Sequence, residues 1–252
     1  MNYLIGDIGN TNIKICKIDR NFKIINSYLF ETKNINFERN FKNKIKKILK
    51  KNINKNVLFS SVVPNTYKKI YKIFKRRNIK VHEIKEFNLK KIMKFNINNY
   101  KQLGSDRIAN AVGANNKFKS NCIVIDFGTA TTFDIIKNPA IYDGGIIAPG
   151  IKLSIENLSS STALLPMFKL NNYPKNYGKN TKQALVSGFF WGYEGLINNI
   201  LKKIMKKNGI NFKIVLTGGY SYLFKNKLIK KTTIEKDITM QGIIKIYKNF
   251  LT

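Results

Sequence analysis

Two short turns in this sequence are made of residue types that handle phosphate. Asp7-Ile8-Gly9-Asn10-Thr11-Asn12 closes one apolar run, and Asp126-Phe127-Gly128-Thr129-Ala130-Thr131-Thr132 closes another. Each sets a carboxylate at the end of a predicted strand, a glycine two positions on, and a threonine beyond it. Glycine lets the backbone adopt positive φ and approach a ligand closely. The backbone N–H groups exposed in this way can bind phosphate oxygens together with threonine hydroxyls. The carboxylate can hold Mg2+ through its waters, because Mg2+ sheds water reluctantly. One Asp-x-Gly-x-Thr turn is equally what a strand ending in a tight turn looks like. Two copies at matching places in the two halves are a stronger signal, and the chemistry they indicate is the gripping of a polyphosphate.

A third group lies between them. Gly104-Ser105-Asp106-Arg107 precedes Ile108-Ala109-Asn110-Ala111-Val112-Gly113-Ala114, a small-residue helix pattern. A carboxylate in a first helical turn is favoured by the helix dipole, so Asp106 has a purely structural reading. It is also a candidate general base toward a substrate hydroxyl, with Arg107 able to fork onto a carboxylate or phosphate. Spacing alone leaves both open. Gly178-Lys179-Asn180-Thr181 opens a long predicted helix in which Gly188, Gly192 and Gly195 share a face. Glycine costs roughly 1 kcal/mol in a helix interior, so this face calls for the close approach of another backbone, from the same chain or a second subunit. His82 reads as structural, and Phe189, Phe190 and Trp191 read as packing.

The elements that must position these groups repeat. Tyr3–Ile8 is a predicted strand that breaks at Gly9, followed by strands near Ile13–Ile18 and Lys23–Glu31. A helix is expected over Phe37–Lys51, with Phe37, Phe41, Ile45, Ile48 and Leu49 on one face. Val57–Val63 is a strand, Pro64 opens a helix to about Arg77, and Lys80–Ile84 is a strand. The second half repeats the order with strands at Cys122–Phe127, Thr132–Lys137 and Ala140–Ala148. Helices are expected near Ile151–Ser160 and Thr181–Lys207, then a strand at Lys213–Leu216 running into Thr217-Gly218-Gly219, and a last helix over about Thr239–Phe250. The expectation is an α/β chain of two duplicated lobes, residues 1–118 and 119–252, each with a mixed central sheet flanked by helices. Ligands prefer clefts between such lobes.

The bulk numbers narrow the function classes. Lys and Arg total 46 against 14 Asp and Glu, a formal charge of +32. That balance suits a nucleic-acid or anionic-membrane partner. The lysines nevertheless run from end to end without a patch or a reading motif, and the chain is crowded with Lys, Asn and Ile, all encoded by AT-rich codons. Base-composition drift is the simpler account, and no specific nucleic-acid partner is expected. Two cysteines, Cys16 and Cys122, do not make a disulfide framework and fit a reducing, cytoplasmic setting. The start MNYLIGDIGN lacks a basic region and is not read as a signal peptide. No apolar run approaches the roughly 20 residues of a membrane helix, so no membrane partner is expected.

The paired turns resemble the two phosphate hairpins of the acetate kinase, sugar kinase, heat-shock chaperone and actin superfamily, whose lobes are ribonuclease H-like. The match then becomes specific. Asp7 to Thr11, Gly104 to Arg107, Asp126 to Thr132, Gly144 to Gly150, Leu164-Leu165-Pro166 and Gly178 to Thr181 resemble, in order and spacing, the motifs of the type III pantothenate kinases. The resemblance implies an ATP-dependent phosphorylation of pantothenate to 4'-phosphopantothenate, the first step of coenzyme A synthesis, by a cytoplasmic homodimer. It implies that Asp7, Ile8, Gly9, Asn10, Thr11, Asn12, Ile13 and Lys14 bind ATP, with Asp7 near Mg2+, and that Thr129 also contacts ATP. Asp106 would be the general base. Tyr100, Gly104, Ser105, Asp106, Arg107 and Thr181 would bind pantothenate, and Asp126 would hold the monovalent cation, K+ or NH4+, that the family requires. Departures are small: Ser105 stands where alanine is frequent, Cys16 lies in a variable part of the first hairpin, and the charge is unusually high. Two other readings are another small-molecule kinase of the same fold and a relative that has lost catalysis and turned regulatory.

Overall fold

Alternation and β-branching set the strands, and their burial sets the sheet. In the computed structural model, which describes residues 1–32, 39–49 and 53–252, β1 (Asn2–Ile8) runs with Leu4, Ile5 and Ile8 wholly buried. Burial on both faces marks a central strand. β2 (Asn12–Ile18) and β3 (Ile24–Glu31) follow as an antiparallel meander, and β3 is the exposed edge. Helix α1 (Arg39–Leu49) lies within the longer span expected from the sequence. Phe37, placed on its apolar face by the sequence, lies outside the described residues. β4 (Ile53–Ser61) then pairs in parallel with β1, α2 (Pro64–Lys75) starts at the expected proline, and β5 (Lys80–Glu83) pairs in parallel with β4. The first sheet is therefore ordered β3-β2-β1-β4-β5. Two-residue β6 (Lys94–Phe95) pairs with Ile141 and Tyr142, and α3 (Ser105–Phe118) carries the small-residue pattern.

The second half repeats this wiring. β7 (Cys122–Phe127), β8 (Ala130–Lys137) and β9 (Ile141–Pro149) match the first three strands, followed by α4 (Ile151–Ser160) and the 28-residue α5 (Thr181–Asn208). β10 (Lys213–Gly218) pairs in parallel with β7, and after the short α6 (Ser221–Phe224), β11 (Thr232–Ile234) pairs in parallel with β10. The order β9-β8-β7-β10-β11 is the same as β3-β2-β1-β4-β5. The expected α/β class with two sheets, flanking helices and duplicated lobes stands.

Each unit has its own apolar core. One gathers Leu4, Ile8, Ile13, Phe59, Ile70 and Phe74, and the other Ile125, Phe133, Ile151, Phe190, Ile197 and Phe224. The compact units comprise residues 1–117, 140–142 and 237–252, and residues 118–139 and 143–236. The last helix, α7 (Ile238–Phe250), belongs to the first unit. Its buried Ile243, Ile246 and Tyr247 pack on β1 and β4, and the Tyr247 hydroxyl donates to the Asn56 carbonyl at 2.9 Å. An amphipathic pattern shows that a helix covers a sheet, not which sheet.

Candidate active site

The first hairpin is held tightly at its base. Gly9 N–H donates to Asn12 O at 2.9 Å, and the Thr32 hydroxyl donates to Gly9 O at 2.7 Å. Ile8 and Ile13 are wholly buried, so these two can offer a ligand only their backbone. Asn10, Thr11 and Asn12 are exposed at the tip. Lys14 on β2 lies directly across from Asp7, and Ser60 on β4 flanks Asp7 from the other side. Ser60 is wholly buried, and its hydroxyl has no hydrogen-bond partner among the described residues. Lys14 Nζ sits 2.5 Å from Asp237 Oδ1.

The Gly104–Arg107 group reaches the same sheet edge. Val62, just beyond β4, donates its N–H to Ile8 O at 3.1 Å. A Cβ built on Gly104 would lie 3.6 Å from a Val62 methyl and 2.5 Å from Asp106 Oδ1. Any side chain at 104 would therefore crowd the candidate base, which is the physical reason for that glycine. Asp106 Oδ1 accepts from Arg107 N–H at 2.7 Å. Burial pushes the Asp106 carboxyl up from its ordinary value, opposed by that N–H bond and the Arg107 charge. Ser105 is wholly buried, and its hydroxyl donates to Glu83 Oε1 at 2.6 Å. Glu83 Oε2 accepts from Lys85 N–H at 2.7 Å, and burial raises its pKa too. The hydroxyl that distinguishes Ser105 from the frequent alanine is thus fully used. Tyr100 sits in a 3-10 turn, half-buried, its ring stacked on Phe95 at 4.7 Å.

In the second unit, Asp126 ends β7 half-buried, with Thr217 of β10 across from it. Gly128 N–H donates to Ala130 O at 3.1 Å, and Thr129 is exposed at the tip. Two glycines make room for this hairpin. A Cβ on Gly150 would fall 1.9 Å from Thr129 O, and Gly218, at φ +84°, lies against the Phe127 backbone, where a Cβ would fall at 2.6 Å. Thr131 is wholly buried, and its hydroxyl has no hydrogen-bond partner among the described residues. Thr181 is the exposed first residue of α5, whose Asn180 cap accepts from Gln183 N–H at 2.9 Å.

The structure therefore brings Asp7, Lys14 and Gly104–Arg107 to one edge of the first sheet. Asp126 and Thr129 occupy the matching place on the second. Sequence reasoning missed Glu83 and Asp237. Glu83 lies 22 positions from Ser105 and Asp237 lies 223 from Lys14, so no local pattern marked either. Trp191 is not packed as expected; it is exposed on α5, while Phe190 is wholly buried and Phe189 packs on Phe168. His82 is half-buried beside Asn56 and Phe87, as a structural histidine would be.

Residues 3–203 match the family profile described as type III pantothenate kinase. The type III pantothenate kinase of Pelagibacter ubique is 47% identical over 244 residues, covering 96% of this chain and 97% of its own. This chain belongs to the type III pantothenate kinase family. That of Koribacter versatilis is 39% identical, covering 74% of this chain and 68% of its own. An ethanolamine utilization protein from Carboxydothermus hydrogenoformans shares the fold alone, with a TM-score of 0.60 at 16% identity, covering 97% of this chain and 89% of its own. Among the described residues no helix is long and apolar enough to cross a membrane. Nor do three or more His, Cys, Asp or Glu side chains cluster as a metal cage. A pantothenate kinase that uses Mg2+ would then hold it by a lone carboxylate, waters and substrate phosphates, which is the habit of that ion. The residues around Asp7 fit, since the buried Ser60 hydroxyl beside it has hydrogen-bonding capacity to spare.

Proposed function

We propose that this chain transfers the γ-phosphoryl group of ATP to the primary hydroxyl of pantothenate, forming 4'-phosphopantothenate at the start of coenzyme A synthesis in the cytoplasm. The single observation that carries the reading is Asp106, a half-buried carboxyl at a helix start, kept clear by Gly104 and raised toward the range of a working base. In this reading the Asp7–Lys14 segment binds the ATP phosphates, with Asp7 beside hydrated Mg2+. Thr129 contacts ATP, and Asp126 holds K+ or NH4+. Tyr100, Gly104, Ser105, Arg107 and Thr181 bind pantothenate.

The part played by the chain's own residues is mostly placement, because phosphoryl transfer asks little covalent chemistry of a protein. Mg2+ supplies charge neutralisation when bound. Asp106 orients the acceptor hydroxyl and takes its proton as the new oxygen–phosphorus bond forms and ADP leaves. Arg107, whose guanidinium can fork onto a carboxylate, suits the acid end of pantothenate. We also propose a homodimer. A Cβ at Gly188, Gly192 or Gly195 would meet nothing within 4 Å, so no other segment among the described residues covers that face of α5. Exposed Trp191 extends it.

The test is ATP consumption by the purified chain with and without pantothenate, and with Na+ in place of K+ or NH4+. Turnover should require pantothenate and one of the two larger cations. Turnover with a sugar or another carboxylate, but none with pantothenate, would sink the reading. Asp106→Asn should lower kcat about 10²–10⁴-fold while ATP binding survives. A kcat near that of the unsubstituted chain would remove Asp106 from the base role.

A further inference from the structure

Lys14 is the cation of the first hairpin nearer its turn, with Lys17 further along β2, and it stands directly across from Asp7. Cross-strand partners share a face with their Cβ atoms about 5 Å apart. A four-carbon stem lets a lysine in that place fold its ammonium onto the neighbouring carboxylate. The ammonium lies 2.5 Å from Asp237 Oδ1, 223 residues away in sequence and in the same compact unit. Asp237 sits on a fixed base. It starts α7, which crosses α3 so closely that a Cβ on Gly113 would fall 2.3 Å from the Ile238 carbonyl. The Asp237 carbonyl also accepts the helical N–H of Gln241 at 2.9 Å. The two side chains are 30% and 49% exposed. A pair that open to water stabilises a fold by only about 0.2–1 kcal/mol, so global stability does not account for it. Asp237 also lies beyond residue 203, where the family profile ends.

We infer that Asp237 is a positioning residue for nucleotide binding, holding the Lys14 ammonium in a fixed place beside the phosphate hairpin. The inference rests on the ATP site proposed above. A lysine tethered in this way meets a polyphosphate without first being ordered. Removing the Asp237 charge while keeping its shape releases the ammonium, so that ATP must order it on binding.

The test is calorimetric binding of ATP with Mg2+ to the full chain, alongside steady-state kinetics. Asp237→Asn should raise the ATP dissociation constant and KM about fivefold or more. kcat, KM for pantothenate and Tm should stay close to those of the unsubstituted chain. Asp237→Glu should restore most of the affinity. Adding Asp237→Asn to Lys14→Met should cost nothing further. Unchanged or tighter ATP binding in Asp237→Asn, or losses that add in the double variant, overturns the inference. If the unsubstituted chain binds no ATP, the nucleotide-site reading fails with it; binding that ignores Asp237 removes only this inference.

Discussion

Asp106 has to carry charge in a place that penalises charge. Burial raises its pKa above the unfolded value, about 3.9 for an aspartate. Such a group binds its proton more tightly folded than unfolded. Its contribution to stability is therefore full below the unfolded pKa and is lost as pH rises through the folded one. At neutral pH the chain bears that loss, and Asp106→Asn should melt at a higher temperature than the unsubstituted chain. The gain should shrink toward nothing as pH falls below the ordinary aspartate range. Thermal melts across pH check this, and a neutral-pH Tm below that of the unsubstituted chain would contradict it. The same shift places the acid limb of kcat/KM above the ordinary aspartate range, since a protonated Asp106 cannot accept a proton. Glu83 shares the raised pKa but is held by the Ser105 hydroxyl and the Lys85 N–H, so it anchors the foot of α3 instead of facing substrate.

At the scale of elements, the crossing of α3 and α7 explains the run of small residues after Arg107. A Cβ on Gly242 would fall 1.8 Å from the Ala109 carbonyl oxygen, backbone that cannot swing aside. The Thr239 hydroxyl donates to the buried Asn110 side chain at 2.7 Å in the same contact. Gly242→Ala should destabilise the chain by about 1–3 kcal/mol, as overpacking does, and should lower kcat by tilting the helix that carries Asp106. A Tm and kcat matching the unsubstituted chain would mean that the two helices are free to separate. Much of this was legible beforehand. The strand–turn–strand order around Asp7 and Asp126 and the span of α4 followed from apolar runs and their glycine breaks. What stayed hidden was what local pattern does not encode. β11 is three residues long, β6 two, and α7 covers the first sheet although it follows the second in sequence. Glu83 and Asp237 were missed for the same reason, since each meets its partner only through the fold.

Charge acts on the molecule as a whole. Of the 46 basic residues, some lie over aromatic rings, as Lys213 does over Phe118 at 4.6 Å, Lys227 over Tyr173 at 4.1 Å and Lys248 over Phe22 at 4.5 Å. Such contacts give an ammonium a partner without a carboxylate, worth roughly 0.5–1 kcal/mol at exposed sites. They leave the formal charge at +32. Two copies of this chain therefore repel over long range, while the exposed glycine and tryptophan face of α5 offers only contact attraction. Salt separates the two effects. The screening length falls from about 30 Å at 0.01 M to about 8 Å at 0.15 M, so added salt weakens the repulsion and leaves apolar burial in place. The proposed dimer should tighten as salt rises over that range, read by sedimentation velocity. Adhesion to a polyanion such as heparin should weaken over the same range, because it depends on releasing counterions. A dimer that loosens with salt would instead be held by complementary charges, and the α5 face would not be its seat.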